Sequence, residues 1–210
     1  MLSEVIIILG IIAAIDLISD LWSQWGTQEL PDHVQVQMSA EDDKKIKAAQ
    51  ELIHECFGEN VVETIKSSSN KERINLMAEF AEKLAEEYDL NIEVDVTVEE
   101  LKNCGAYNWE KKKAVFNIAL LTVDSENEHF GDCVRIVLDT IIHELRHAVQ
   151  HKCIEEPTYW DIDADMRDMW QNNMLPGNYI RPEVDMRGYA LQPIEIDAST
   201  FAELVMKGVC

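Results

Sequence analysis

His143-Glu144-Leu145-Arg146-His147, inside the stretch 132–152, is the segment whose reading decides the fold. It has the form H-E-x-x-H. On a helix of about 3.6 residues per turn, positions i and i+4 stand one above the other on the same face. Two imidazoles so placed can hold one Zn²⁺ from the same side, and the glutamate beside the first can reach a metal-bound water. Zinc draws the pKa of that water towards neutrality, and the glutamate takes its proton as it attacks a polarised carbonyl. The pentad therefore predicts His143 and His147 as ligands and Glu144 as general base.

The flanks supply the helix. Asp132, after Gly131, is the expected N-cap. Val134, Leu138, Ile141, Leu145 and Ala148 repeat at helical spacing, and Ile136, Val137, Ile142 and Val149 widen the apolar surface. The expectation is a central, mostly buried helix with both histidines on a flank of its apolar face.

Length and composition bound the rest. The 210 residues, 47% of them apolar, suffice for one globular domain, or one domain with a helical extension. A net charge of −22 argues against nucleic acid and anionic membrane surfaces as partners. Cys56, Cys104, Cys133, Cys153 and Cys210 are odd in number and scattered, which predicts free thiols in a reducing, cytoplasmic compartment.

Residues 5–15 form an apolar run that is followed by Asp16 and Asp20. It is too short for an ordinary spanning helix, which needs about 20 apolar residues, and no Lys or Arg precedes Lys44. A buried or partner-packed helix is the first reading, and membrane association through residues 5–18 the second. Gly26 and Pro31 mark a linker. The division is therefore an apolar N-terminal helix and linker over 1–38, and the main domain over 39–210.

That domain opens on helices. Ser39 with Asp42, and Ser69 with Glu72, are capping signals. Ile46, Ala49 and Ile53 give the first helix an apolar face that Gly58 ends. A short helical piece over 61–65 follows, and then Ile74, Met77, Ala81, Leu84 and Tyr88 repeat over four turns. His54-Glu55 resembles the start of a second H-E-x-x-H, but Gly58 stands where a ligand is needed, so His54 is an ordinary helix residue. Ile92, Val94, Val96 and Val98 alternate with polar residues as a strand. Residues 104–121 read as a hairpin just before the metal helix, and Lys111-Lys112-Lys113 as its solvated turn. In zinc peptidases a sheet edge near the metal commonly receives the substrate as an added strand.

A hydrolytic zinc site wants three protein ligands and one open position. The extended motif H-E-x-x-H-x-x-G-x-x-H is excluded, because Gln150 and Cys153 occupy its last positions. His151 lies eight residues beyond His143, about 80° round the helix, and is not favoured. Near the C-terminus Pro193 opens a helix on which Ile194, Ala198, Phe201 and Val205 share a face. Glu195 in its first turn is the expected third ligand, with small Ala198 and Ala202 allowing close helix approach. Residues 153–193 read as a long connection, a wall or lid carrying Tyr159, Trp160, Trp170, Tyr179, Tyr189, Arg181 and Arg187, from which a Tyr or Arg is expected at the oxyanion. Asp161, Asp163 and Asp165 begin like a calcium loop that Met166 and Asn172 spoil.

The stretches His143 to Gln150 and Pro193 to Ala202 together resemble the gluzincin metallopeptidases, above all their compact minigluzincin and ImmA/IrrE-type members. In those proteins a second helix carries E-x-[ED]-A-x-x-[FY]-A, and its first acid is the third zinc ligand, which corresponds to Glu195. Many gluzincins carry Asp or Asn four residues later, where this chain has Ser199, a weaker partner for a ligand histidine. The resemblance covers roughly residues 70–210 and implies an α+β fold, helices on a small mostly antiparallel sheet, zincin-like. The expectation is thus a zinc-dependent endopeptidase acting on peptide or protein substrates. The competing expectation is a zinc-binding interaction or regulatory protein without turnover.

Overall fold

The computed structural model describes residues 38–99 and 103–209. Its first helix, α1 (Ala40–Phe57), starts on a capping box. The Asp42 N–H donates to Ser39 Oγ, and the Ser39 N–H returns to Asp42 Oδ2 at 2.8 Å. Gly58 ends it at φ 75°, a left-handed value that costs glycine nothing, and donates its N–H to the His54 carbonyl. α2 (Val61–Ser67) follows, and α3 (Asn70–Glu87) opens on the second box, Ser69 with Glu72. Ile46, Ala49, Ile53, Met77, Ala81, Leu84 and Tyr88 are all buried, as the repeats require. Arg73 clips this layer to the next: Nε and Nη2 donate to the carbonyls of Ile65 and Lys66, and Nη1 to that of Leu121.

β1 (Glu93–Thr97), β2 (Gly105–Asn108) and β3 (Lys113–Asn117) form one sheet in the order β1-β3-β2. β2 and β3 are the expected antiparallel hairpin, but β1 pairs with β3 in parallel, from Glu93↔Lys113 to Thr97↔Asn117. The sheet is therefore mixed rather than mostly antiparallel. Alternation marks a strand without naming its neighbour, and here the chain passes one strand width beyond β1 before the hairpin returns beside it. The second strand is also shorter than its β-prone run. Asn117 Oδ1 accepts the Ala119 N–H, and residues Ala119–Thr122 turn into a 3₁₀ helix that buries Leu120 and Leu121. Two of the three lysines of the hairpin turn are paired in solvent, Lys112 with Glu155 and Lys113 with Glu93.

α4 (Phe130–Glu155) contacts α2, α3, β2, β3 and the two helices α5 (Ala164–Met174) and α7 (Pro193–Met206). It begins two residues ahead of the expected Asp132 cap. A turn holds its start, with the Phe130 N–H on the Asn127 carbonyl and Asn127 Oδ1 taking the His129 N–H, so Asp132 lies in the first turn. Val134, Val137, Leu138, Ile141, Ile142, Leu145, Ala148 and Val149 are buried as expected. The connection expected as a long loop instead contains α5 and α6 (Met186–Ala190). Trp160 and Trp170 go into the core rather than into a wall. The four cysteines in the described part are free thiols. No helix among the described residues is long and apolar enough to cross a membrane, and the expected N-terminal apolar helix lies outside those residues.

Asp139 gives this core a pH dependence. It is 5% exposed, one turn before His143 on α4. Burial pushes its carboxyl up to about 7, against the lowering pull of His143 and Arg135. The folded value lies above an unfolded value of about 3.9. Asp139 therefore favours folding least at high pH, and stability of the metal-free protein is lost as pH rises from about 4 to about 7. Asp139→Asn should raise the stability of chelator-treated protein at pH 8 by about 2–4 kcal/mol and leave it nearly unchanged at pH 4. Urea titrations at the two pH values measure this, and an equal effect at both would refute it.

Candidate metal centre

α4 and α7 bring the predicted ligands together. His143 and His147 are each 13% exposed in their side chains, and their rings stand edge to face with centroids 4.6 Å apart. Glu195 comes from the first turn of α7, where Pro193 occupies a position that needs no N–H donor. Its Oε2 lies 3.3 Å from His143 Nε2 and 3.4 Å from His147 Nε2. All three ligand atoms lie within 4.8 Å of one another. Atoms bound tetrahedrally at about 2.0–2.1 Å from one ion stand about 3.3–3.4 Å apart, so these contacts match the edges of such a polyhedron.

Glu195 Oε2 is buried and accepts no hydrogen bond from the described residues. A bare carboxylate oxygen in that setting is costly, and two neighbouring imidazole nitrogens do not relieve it by hydrogen bonding. A cation between the three atoms would. Electrostatics agrees. Burial alone would raise the Glu195 carboxyl, but His147 and His143 overcome it and hold the group well below the usual carboxylate range. Burial likewise lowers His147, yet Glu195 wins and pushes it up to about 9. His143, His147 and Glu195 thus form a buried group that could hold a metal ion.

Around the ligands lie their supports. Ser199 Oγ is 3.4 Å from His143 Nδ1, the weak contact expected of a serine there. Gln150 Oε1 is 2.7 Å from His147 Nδ1. The Tyr179 hydroxyl donates to Glu195 Oε1 at 2.9 Å, and Tyr189 packs against Tyr179 with ring centroids 6.2 Å apart. Both phenols are pushed far up by burial and then by the Glu195 carboxylate, so both stay protonated donors. Trp109, from the hairpin turn, meets Tyr179 edge to face at 6.5 Å. Of the aromatic and basic residues expected along the connection, Tyr179 and Tyr189 reach the centre. Tyr159, Trp160 and Trp170 pack elsewhere, and Arg181 and Arg187 are exposed.

Glu144 faces β2. Its Oε2 accepts the Tyr107 N–H at 2.8 Å, which leaves Oε1 as its free oxygen. The contact depends on Gly105: a Cβ there would sit 2.7 Å from Thr140 Cγ2 and 3.1 Å from Glu144 Cγ. His151 is not a ligand, since its Nδ1 meets the Tyr107 hydroxyl at 3.3 Å. Cys153 is buried in the core, His54 lies against the Gly58 carbonyl, and Asp163 caps α5 rather than holding calcium.

Sequence reasoning left Arg146 and Asp197 without partners and gave Asp42 only a capping role. Arg146 is completely buried. Its Nε and Nη2 donate to Asp197 at 2.8 and 3.1 Å, and its Nη1 to Asp42 at 2.6 Å. The available signal was spacing, since Asp197 is one residue from Ala198 on the buried face and Arg146 follows the buried Leu145.

Purified protein should contain about one divalent transition-metal ion per chain by elemental analysis. Glu195→Ala and His147→Ala should each reduce that content to below about a tenth, because two ligands do not retain a labile ion. Full retention in both variants would mean the ion, if present, sits elsewhere. No protein-family model, curated protein or solved structure matches this chain, so the reading of the centre stands on its own geometry.

Proposed function

We propose that the chain is a zinc-dependent endopeptidase of the gluzincin kind, with His143, His147 and Glu195 as ligands and Glu144 as general base. The observation that carries the proposal is the convergence of two imidazole nitrogens and one orphaned carboxylate oxygen beside a glutamate with one free oxygen. Two imidazoles and a carboxylate suit zinc, and three protein ligands leave the open position that hydrolytic sites keep and structural sites lack. The ion would lower the pKa of a bound water and polarise the scissile carbonyl.

The protein's own groups supply the remaining steps. Glu144 Oε1 takes the proton of the attacking water and later passes it to the leaving amine. The Tyr107 N–H holds the other oxygen, so that Oε1 is the one left for the proton. Tyr189 offers a neutral hydroxyl to the negative charge that would develop on the attacked carbonyl oxygen, while the Tyr179 hydroxyl gives its one hydrogen to Glu195 Oε1. β2 is an edge strand. The Cys104 carbonyl accepts from Asn117 in β3, so by alternation the main-chain groups of Gly105 and Tyr107 face away from β3; Glu144 takes the Tyr107 N–H, which leaves Gly105 and the Tyr107 carbonyl on the edge. An extended peptide would align there as an added strand.

Glu144→Gln should keep its metal and lose hydrolysis of a quenched-fluorescent peptide library by about 10²–10⁴-fold, the share ordinarily carried by a general base. Unchanged turnover would refute the mechanism. A wild-type protein that holds metal yet cleaves nothing would favour the interaction or regulatory role. Gly105→Ala should push β2 away from Glu144 and lower kcat/KM by about 10–100-fold with metal content intact. Wild-type kcat/KM in that variant would remove β2 from the account.

A further inference from the structure

We infer that Gln150 is the positioning residue for His147, and that Asp42, Arg146 and Asp197 hold its amide in the one orientation that does so. The inference rests on the metal-centre reading and adds a relay running from α1 into the centre.

The amide can be assigned without seeing hydrogens. Gln150 is completely buried. One end of its amide lies 2.9 Å from the Ile194 carbonyl oxygen and 2.7 Å from Asp197 Oδ2. Both neighbours only accept here, since Asp197 is held by the Arg146 guanidinium. The end facing them must therefore be the NH₂, which has two hydrogens for two acceptors. The flipped amide would set an oxygen against two oxygens in a dry interior. With the nitrogen fixed, Oε1 faces His147 Nδ1 at 2.7 Å and can only accept. With a metal ion bound, His147 thus keeps its hydrogen on Nδ1 and turns the Nε2 lone pair to the centre, where Glu195 Oε2 lies 3.4 Å away.

Each link is held by the next. Asp197 takes both Arg146 Nε and Nη2, a two-point fork that fixes its carboxylate plane. Asp42, from the capping box of α1, takes Arg146 Nη1. Two acids share one guanidinium, so the cluster carries surplus negative charge in a low-dielectric interior. That charge polarises the amide towards His147 and strengthens its ring as a donor to a metal. Helical spacing puts Arg146 and Gln150 four residues apart and Gln150 three beyond His147, so all three share one side of α4.

His143 has no such support. Among the described residues its Nδ1 meets only the Ser199 hydroxyl at 3.4 Å, and a hydroxyl can donate or accept, so it does not impose a tautomer. The two histidines of the pentad are therefore unequal.

Gln150→Met keeps the length of the side chain and removes both functions of the amide. Zn²⁺ affinity, measured by competition with a chromophoric chelator, should fall about 10–100-fold, against less than about threefold for Ser199→Ala. Nitrogen-15 spectra of the histidines in Zn²⁺-loaded wild-type protein should show His147 protonated at Nδ1 and metal-bound at Nε2. Equal affinities for Gln150→Met and wild type, with matching circular dichroism, would overturn the inference. So would a His147 proton on Nε2 in the Zn²⁺-loaded wild type, whether or not the variant folds. A wild type that binds no Zn²⁺ would overturn the metal-centre reading and this inference together, whereas tight wild-type binding with an insensitive variant would overturn only the inference.

Discussion

A single guanidinium, completely buried where α1, α4 and α7 meet, is the constraint on which the rest of the structure depends. Arg146 could not be there unpaired, because removing one partner from a buried ion pair costs about 3–5 kcal/mol. Asp42 and Asp197 pair it from two different helices, and the rings of Phe201, Trp160 and Trp170 lie 4.6, 5.3 and 5.5 Å from its central carbon. Those contacts fix the approach of α7 to α4. Glu195 precedes Asp197 by two residues, and His147 follows Arg146 by one. The clamp that joins the helices therefore also sets the distance between the glutamate and the imidazoles.

The centre itself is built from groups whose charges oppose one another across a small volume. Glu195 is ionised because two imidazoles face it, and His147 holds its proton in the metal-free state because Glu195 faces it. A divalent ion bound there would displace that proton and take over the same stabilising work, so metal uptake and proton release would be linked. The two tyrosines remain neutral beside the carboxylate, which makes them donors. On the other side, Gly105 lets the edge strand lie against α4, and the Tyr107 N–H then reaches Glu144. The acid that would act as base is oriented by backbone, the ligands by side chains.

Several parts of this were legible in the residues because their causes are local. Ser39 with Asp42, and Ser69 with Glu72, close capping boxes within three positions, and Pro193 starts α7 by its own ring geometry. The passage from helix to strand was visible in the change of apolar period after Leu90, in agreement with the α+β class that the resemblance implied. The start of α4 was misplaced because a turn at Asn127 competes with the cap at Asp132. The sheet was misjudged as mostly antiparallel because the β1–β3 pairing joins residues about 20 apart, and no local pattern encodes it. Asp42 is the instructive case. It satisfies a capping box and, with its other oxygen, a buried arginine 104 positions away.

The sequence by itself determined the helical pair of histidines, the glutamate between them and the acid that opens the last helix. Each of these is a matter of spacing along one helix or of one capping position. Only the tertiary structure decided that Glu195 lies against both imidazoles, that Asp197 belongs to Arg146, and that the edge strand reaches Glu144. Those facts depend on how three helices and a hairpin pack. Packing is set by the summed burial of residues far apart in the chain, and no stretch of sequence read alone contains it.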